Sequence, residues 1–311
     1  MPALVEIERL FVSYGRTLAV RDISFAVSKG EVFGFIGPNG AGKTTTIKVL
    51  ATLLRPSGGF ARIDGMDVTK EPQKIRRRIG YVPDFFGVYD DLTTSDYLHF
   101  FAAAYRVDHG RRMAVVEDVL ALTDLTGKKD SPVDALSRGM KQRLGLARIL
   151  IHDPDLLLLD EPASGLDPRA RIEMRELLKE LQKMGKTIII SSHILHELSQ
   201  ICTRIGIIEA GRLVAEGSLT DIYRRLDLKR VIHVQIVNLS EAMLQSIRAI
   251  PGVASAEPAI DRLSIHIRED VIQVEDLLIR LHQLGARVRM YQPEAMDMET
   301  VFMKLTEGKT A

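Results

Sequence analysis

Gly37–Thr44, GPNGAGKT, satisfies G-x-x-x-x-G-K-[ST] at every fixed position. It lies between an apolar run, EVFGFIG (31–37), and the helix-forming TTTIKVLATLL (44–54). Few folds accommodate a strand, a tight glycine loop and a helix in that order. Glycines let successive N–H groups turn toward one point, and the helix start adds its positive end, so the segment is built to cradle phosphate. Lys43 places a charge for β/γ-phosphates and the Thr44 hydroxyl suits Mg²⁺. Gly37, Pro38, Asn39, Gly40, Ala41, Gly42 and Thr45 complete the candidate nucleotide contacts. A plain glycine-rich turn is the bland alternative, and the complete match in a strand-loop-helix context argues against it.

LLLLDEP (156–162) supplies a second half. A buried apolar strand ending in two carboxylates puts them at the carboxyl edge of a sheet, where open α/β folds hold ligands. Asp160 is expected to hold Mg²⁺ through water, and Glu161 to polarise an attacking water as general base. Up to about residue 220, short β-rich runs alternate with helical ones, predicting an α/β unit with a mainly parallel sheet. DLLLLD and KTIIISS (186–192) are near-continuous apolar runs, as strands covered on both faces should be. Between residues 95 and 150 helical periodicity replaces the strand signal, predicting a helical insertion.

After RRLDLKR (224–230) the character changes. VIHVQI and RLSIHIR alternate like half-exposed antiparallel strands, and Val274, Leu277, Leu278, Leu281 and Leu284 share one helical face. The expected order over 231–292 is strand, helix, strand, strand, helix, strand, a small ferredoxin-like α+β unit. The expected domains are therefore 1–225 and an accessory or regulatory 226–311.

A net charge of +1 over 311 residues leaves no field suited to gripping nucleic acid or an anionic bilayer. The single cysteine, Cys202, reads as a small buried hydrophobe in a reducing compartment. No apolar run approaches the 18 or so residues of a membrane span, so any membrane-crossing partner is expected in a separate chain.

LSRGMKQRLGLARIL, from Leu136, narrows the class. It resembles the signature of ATP-binding-cassette (ABC) proteins, which the family usually writes LSGGQ. SGLD (Ser164–Asp167) looks like the D-loop, and His193 in SSH like the switch histidine. TLLRPSGG (52–59) and METVFMKLTEG (298–308) make the chain similar to ATPase subunits of ABC-2 type exporters, including the drug-resistance branch. The resemblance implies a P-loop NTPase cassette with GPNGAGKT as Walker A and LLLLDEP as Walker B. It further implies ATP and Mg²⁺ as ligands, Tyr14 as adenine platform, and His193 reaching the γ-phosphate. Ser137, Gly139 and Asp167 would face nucleotide held by a second protomer, a copy of this chain or a paralogue. Separate membrane-spanning permease subunits, and a cytoplasmic place on the inner face of the cell membrane, are implied as well.

Two departures stand out. Arg138 and Met140 replace family residues in the signature, while Ser137 and Gly139 are kept. In IGYVPDFFGVYDDL, Asp84 stands where the family carries a glutamine that touches Mg²⁺. Aspartate still offers a hard oxygen on an arm about 1.5 Å shorter. Phe85, Phe86, Gly87, Val88 and Tyr89 then form an apolar cluster suited to a groove for the permease, or to packing on the helical insertion. Two rivals are a soluble, non-transport cassette ATPase and a regulatory ATP-binding module of low turnover.

Overall fold

The computed structural model describes residues 3–84, 87, 91–194, 198–218, 220–222, 230–259 and 261–294. Contacts divide the chain between Glu216 and Gly217.

The first unit opens with a long hairpin, β1 (Ala3–Tyr14) and β2 (Thr17–Ser28), then β3 (Val32–Ile36) and α1 (Lys43–Leu50). β4 (Gly58–Ile63), β5 (Met66–Asp67), α2 (Pro72–Arg76) and β6 (Ile79–Val82) follow. The predicted insertion is present as α3 (Thr94–Ala104), α4 (Arg112–Leu122) and α5 (Arg138–Leu150), which pack on one another. Then come β7 (Leu156–Asp160), α6 (Pro168–Lys183), β8 (Thr187–Ser192), β9 (Arg204–Glu209) and β10 (Arg212–Gly217).

Six strands form one sheet in the order β10-β9-β3-β8-β7-β6, in which β9, β3, β8, β7 and β6 run parallel to one another. β3, β7 and β8 are buried at every position, which explains their continuous apolar sequence. A second sheet, β2-β1-β4-β5, is antiparallel and was not foreseen. α1 packs against β7 of one sheet and β2 and β4 of the other. One core joins Val5, Ile7, Leu10 and Val12 of the hairpin to Ile47 and Leu50 of α1 and to Phe33, Leu156 and Leu158 of the parallel sheet. Each such side chain contributes about 1.5–3 kcal/mol on burial. Phe25 stacks on Phe33 with centroids 4.9 Å apart, so the two sheets hold the start of α1 in a fixed place.

The second unit contains β11 (Arg230–Ile236), α7 (Glu241–Arg248), β12 (Val253–Pro258), β13 (Leu263–Ile267), α8 (Val274–Gln283) and β14 (Val288–Pro293). Its antiparallel sheet runs β12-β13-β11-β14, the ferredoxin-like arrangement. Ile232, Val234, Ile247, Leu263, Ile265, Leu277 and Leu281 fill its core. The predicted α8 stripe is narrower than expected: Leu278 and Leu284 are each 39% exposed, because a short helix on a small sheet buries only its central line.

Candidate active site

The phosphate loop is shaped by backbone that side chains would obstruct. A Cβ on Gly42, whose φ is 107°, would lie 2.6 Å from the Ala19 carbonyl oxygen of β2. Gly37 has no room for one against the Ile208 carbonyl of β9. The Gly211 amide donates to the Ala41 carbonyl at 3.0 Å, so both sheets hold the loop.

Lys43 is buried, and its Nζ donates to the carbonyls of Gly37 (2.6 Å) and Pro38 (3.2 Å). It lies 3.4 Å from Glu161 Oε1. Asp160, at the end of β7, accepts at Oδ1 from the Thr44 hydroxyl (3.0 Å) and from the Ser191 hydroxyl (2.6 Å). β7 and β8 run side by side with Asp160 opposite Ser191, and that pairing brings the histidine after β8 to the acid after β7. The Ser191 hydroxyl also accepts from the Glu161 amide at 3.0 Å.

Glu161 adopts φ 51°, a left-handed backbone that costs a non-glycine residue roughly 1–2 kcal/mol. Such strain collects at functional positions. Its Oε2 accepts from the His193 Nδ1–H at 2.7 Å and from the His193 amide at 3.3 Å. Because a carboxylate can only accept, Nδ1 carries a proton in this contact, which fixes the ring with Nε2 pointing away from Glu161. Oε1 is buried without a hydrogen-bond partner among the described residues. The residues fit Mg²⁺: hard oxygens from Thr44 and Asp160 meet at 3.0 Å, and Asp160 is the residue before Glu161, whose Oε1 has only the Lys43 ion pair among the described residues. What the cluster can do is grip phosphate with Lys43 and hold a water's proton with Glu161.

A profile described as "ABC transporter" matches residues 20–164. The Linearmycin resistance ATP-binding protein LnrL of Bacillus subtilis (strain 168) is 34% identical over 312 residues, covering 99% of this chain and 99% of the relative. The chain belongs to the ABC transporter ATP-binding proteins. The Nod factor export ATP-binding protein I of Paraburkholderia xenovorans (strain LB400) is 40% identical over 307 residues, covering 98% of this chain and 97% of the relative. Among solved structures, the ATP-binding subunit of an ABC transporter superposes with TM-score 0.66 at 33% identity, covering 72% of this chain and 94% of that one. cbiO1 from Clostridium perfringens, part of the transporter complex cbiONQ, superposes with TM-score 0.64 at 28% identity, covering 73% and 97%. This ABC protein is thus an ATP-binding subunit and an ATPase of the P-loop α/β class. Among the described residues no helix is long and apolar enough to cross a membrane.

The remaining predicted residues of the ABC subunit lie apart from the Lys43–Glu161–His193 cluster; among the described residues no hydrogen bond or ion pair joins them to it. Ser137 caps α5, accepting from the Met140 amide at 3.3 Å, and is exposed. Asp167 caps α6. Gly139 abuts Ala170, and the Arg138 guanidinium lies against Gly165, so the signature and D-loop segments touch within one chain. Asp84 is exposed, and its main-chain carbonyl accepts from Gln142 Nε2 at 3.4 Å. Phe85, Phe86, Val88 and Tyr89 lie outside the described residues, as does METVFMKLTEG.

Three site-shaping residues were missed by sequence reasoning: Ser191, Tyr81 and Gln142. Only Ser191 left a signal, a polar residue closing the apolar KTIIISS strand. Burial, then the charges of Asp160 and Asp84, push the Tyr81 phenol up to about 12, so it stays protonated at neutral pH. Cys202, read as a small buried hydrophobe, is half-buried as a residue, but its sulfur lies close against Gly34 and burial raises the pKa of its thiol.

Tyr14 ends β1 opposite Thr17 and is 49% exposed, which leaves a ring face open rather than in the core. Replacing Tyr14 by alanine should weaken ATP binding about tenfold, the value of one base–aromatic stack, while Tyr14→Trp retains it. Equilibrium titration with a fluorescent ATP analogue measures both; native affinity in the alanine variant would remove the platform role.

Proposed function

We propose that this ABC subunit powers an exporter, coupling ATP-driven pairing of two cassettes to movement of membrane-spanning subunits in separate chains. The observation that carries the reading is the line Lys43–Glu161–His193: a buried phosphate-gripping cation, a buried carboxylate base and an exposed imidazole, each in hydrogen-bond or ion-pair reach of the next. Relatives named for linearmycin resistance and Nod factor export align over nearly the whole chain, the second unit included.

In this scheme Tyr14 stacks on adenine, Gly37–Thr45 wrap the triphosphate, and Ser137, Gly139 and Asp167 of a second protomer complete the γ-phosphate shell. Two-fold pairing then places each phosphate loop opposite a signature segment. Thr44, Asp160 and Asp84 would hold Mg²⁺, which when bound neutralises developing phosphate charge. Glu161 takes the proton of the attacking water, and His193, held by Glu161 through Nδ1, turns Nε2 toward the γ-phosphate edge. Closure persists only while the γ-phosphate joins the two halves, so hydrolysis reopens them. The ferredoxin-like unit is assigned an accessory or regulatory role, and the assembly a place on the inner face of the membrane.

Retrieval of the tagged chain from detergent-solubilised membranes should bring down a multispanning protein; recovery with ribosomes or DNA would overturn the transport reading. Phe85→Ser with Phe86→Ser should abolish transport while the isolated chain still hydrolyses ATP. Parallel loss of both activities would instead assign those residues to packing.

A further inference from the structure

β7 and β8 end side by side with Asp160 opposite Ser191, so each strand delivers its next residues to the same place. β8 is apolar through Ile188, Ile189 and Ile190 and then changes to Ser191, which is fully buried. A hydroxyl in that setting costs free energy unless its bonds are met. Both are met, and both by residues of the site. The Ser191 hydroxyl donates to Asp160 Oδ1 at 2.6 Å, because a carboxylate can only accept, and its oxygen accepts from the Glu161 amide at 3.0 Å. The bonds therefore run in one direction, from the Glu161 N–H through Ser191 to the Asp160 carboxylate.

Each end of this chain fixes something that the motif residues leave free. Asp160 Oδ1 also takes the Thr44 hydroxyl at 3.0 Å, whereas no hydrogen bond from the described residues reaches Oδ2. Thr44 is itself a metal-side group, so Ser191 is the donor on Oδ1 with no second task. It holds the carboxylate with Oδ2 uncommitted. At the other end, Glu161 has the left-handed backbone and its amide lies past the last rung of the β7–β8 ladder, which is Asp160 with Ser191. Without the hydroxyl, a buried amide would be orphaned at a strained residue. His193 holds the same glutamate from its carboxylate, through Oε2. Ser191 on the main chain and His193 on the side chain thus keep the base in one direction relative to β8.

We infer that Ser191 is a positioning residue for both carboxylates: its one hydroxyl orients the metal-side Asp160 and the base Glu161 together, so metal binding and proton transfer depend on it jointly. This rests on the reading of Asp160 as a metal-side group and Glu161 as base.

The test uses the full chain and two readouts. A fluorescent ATP analogue titrated in EDTA and then with increasing Mg²⁺ reads Asp160 without turnover, and steady-state hydrolysis at saturating Mg²⁺ reads Glu161. Ser191→Ala removes only the hydroxyl. Ser191→Thr keeps it, with a cavity of about 280 Å³ beside residue 191 to take the added methyl. Ser191→Ala should raise the Mg²⁺ concentration for half-maximal tightening about tenfold, the scale of one hydrogen bond to a charged group, with affinity in EDTA unchanged. Its kcat should fall about 10–100-fold at unchanged KM, since a misdirected base loses rate and not binding. Ser191→Thr should restore both. Asp160→Ala should abolish the Mg²⁺ response, and Ser191→Ala added to it should change that response no further. A response lost in Asp160→Ala but native in Ser191→Ala would overturn the positioning role and leave the Asp160 reading standing. A native response in Asp160→Ala would sink both. A metal shift without a fall in kcat, or the reverse, would overturn the joint role. Equal weakening of Ser191→Ala in EDTA and in Mg²⁺, or a threonine variant as impaired as the alanine one, would make residue 191 a packing position, which also overturns the inference.

Discussion

Exchange of Glu161 for glutamine will reduce steady-state ATP hydrolysis by about 10²–10⁴-fold, the usual weight of a general base, while nucleotide still binds. The geometry separates these effects. Oε2 accepts from His193 Nδ1 and the His193 amide, and a glutamine carbonyl can keep both bonds. Its NH₂ would then replace Oε1, 3.4 Å from Lys43, so donor faces donor and no atom remains that can take a proton from water. Lys43 keeps the carbonyls of Gly37 and Pro38, so the phosphate loop survives. On the proposed two-cassette scheme the variant should therefore accumulate as a Mg-ATP-dependent dimer. Phosphate release and light scattering with Mg-ATP measure the two halves of the claim. Native turnover in the variant would remove Glu161 as base, and a monomer at saturating Mg-ATP would remove the paired engine.

Legibility in the sequence followed the regularity of the backbone. β7 and β8 were readable because buried parallel strands carry unbroken apolar runs, and the phosphate loop because its glycines answer to geometry that no other residue meets. The six-element ferredoxin-like order was readable because β11 and β13 alternate apolar and polar residues and α8 is amphipathic. The β1–β2 hairpin hid for the opposite reason. Val5 and Ile7 point inward at odd positions, but Arg9 turns left-handed at φ 47° with a register shift, and Leu10 and Val12 then point inward at even ones. Asp22 does the same on β2 at φ 57°. A bulge on each strand breaks the period of two that marks a strand. At the site, Glu161, Lys43 and Asp160 announced themselves as motif residues, whereas Ser191 and Gln142 matter through contacts made across 30 and 58 positions of sequence, Ser191 to Glu161 and Gln142 to Asp84. Spacing along a chain carries no trace of such meetings.

The same reasoning identifies the glycine whose loss should cost most. Gly37 closes β3 where Ile36 pairs with Ile207, and a Cβ there would overlap the carbonyl oxygen of Ile208 on the adjoining strand. That oxygen is backbone in a central parallel strand, so it cannot swing aside as a side chain would. Relief requires β3 and β9 to part at the very point where Lys43 Nζ holds the Gly37 carbonyl. Gly37→Ala should thus lower stability by about 3 kcal/mol, at the upper end of overpacking costs. For a unit of this size that is a fall in Tm of roughly 6–12 °C. ATP should no longer raise Tm, because the displaced loop cannot converge its N–H groups. Gly127→Ala is the control: nothing lies within 4 Å of its Cβ, and its Tm should match the native protein. If Gly37→Ala instead melted natively and kept its ATP shift, β3 and β9 would have to separate freely, and the loop would not be the rigid cradle on which the catalytic cluster depends.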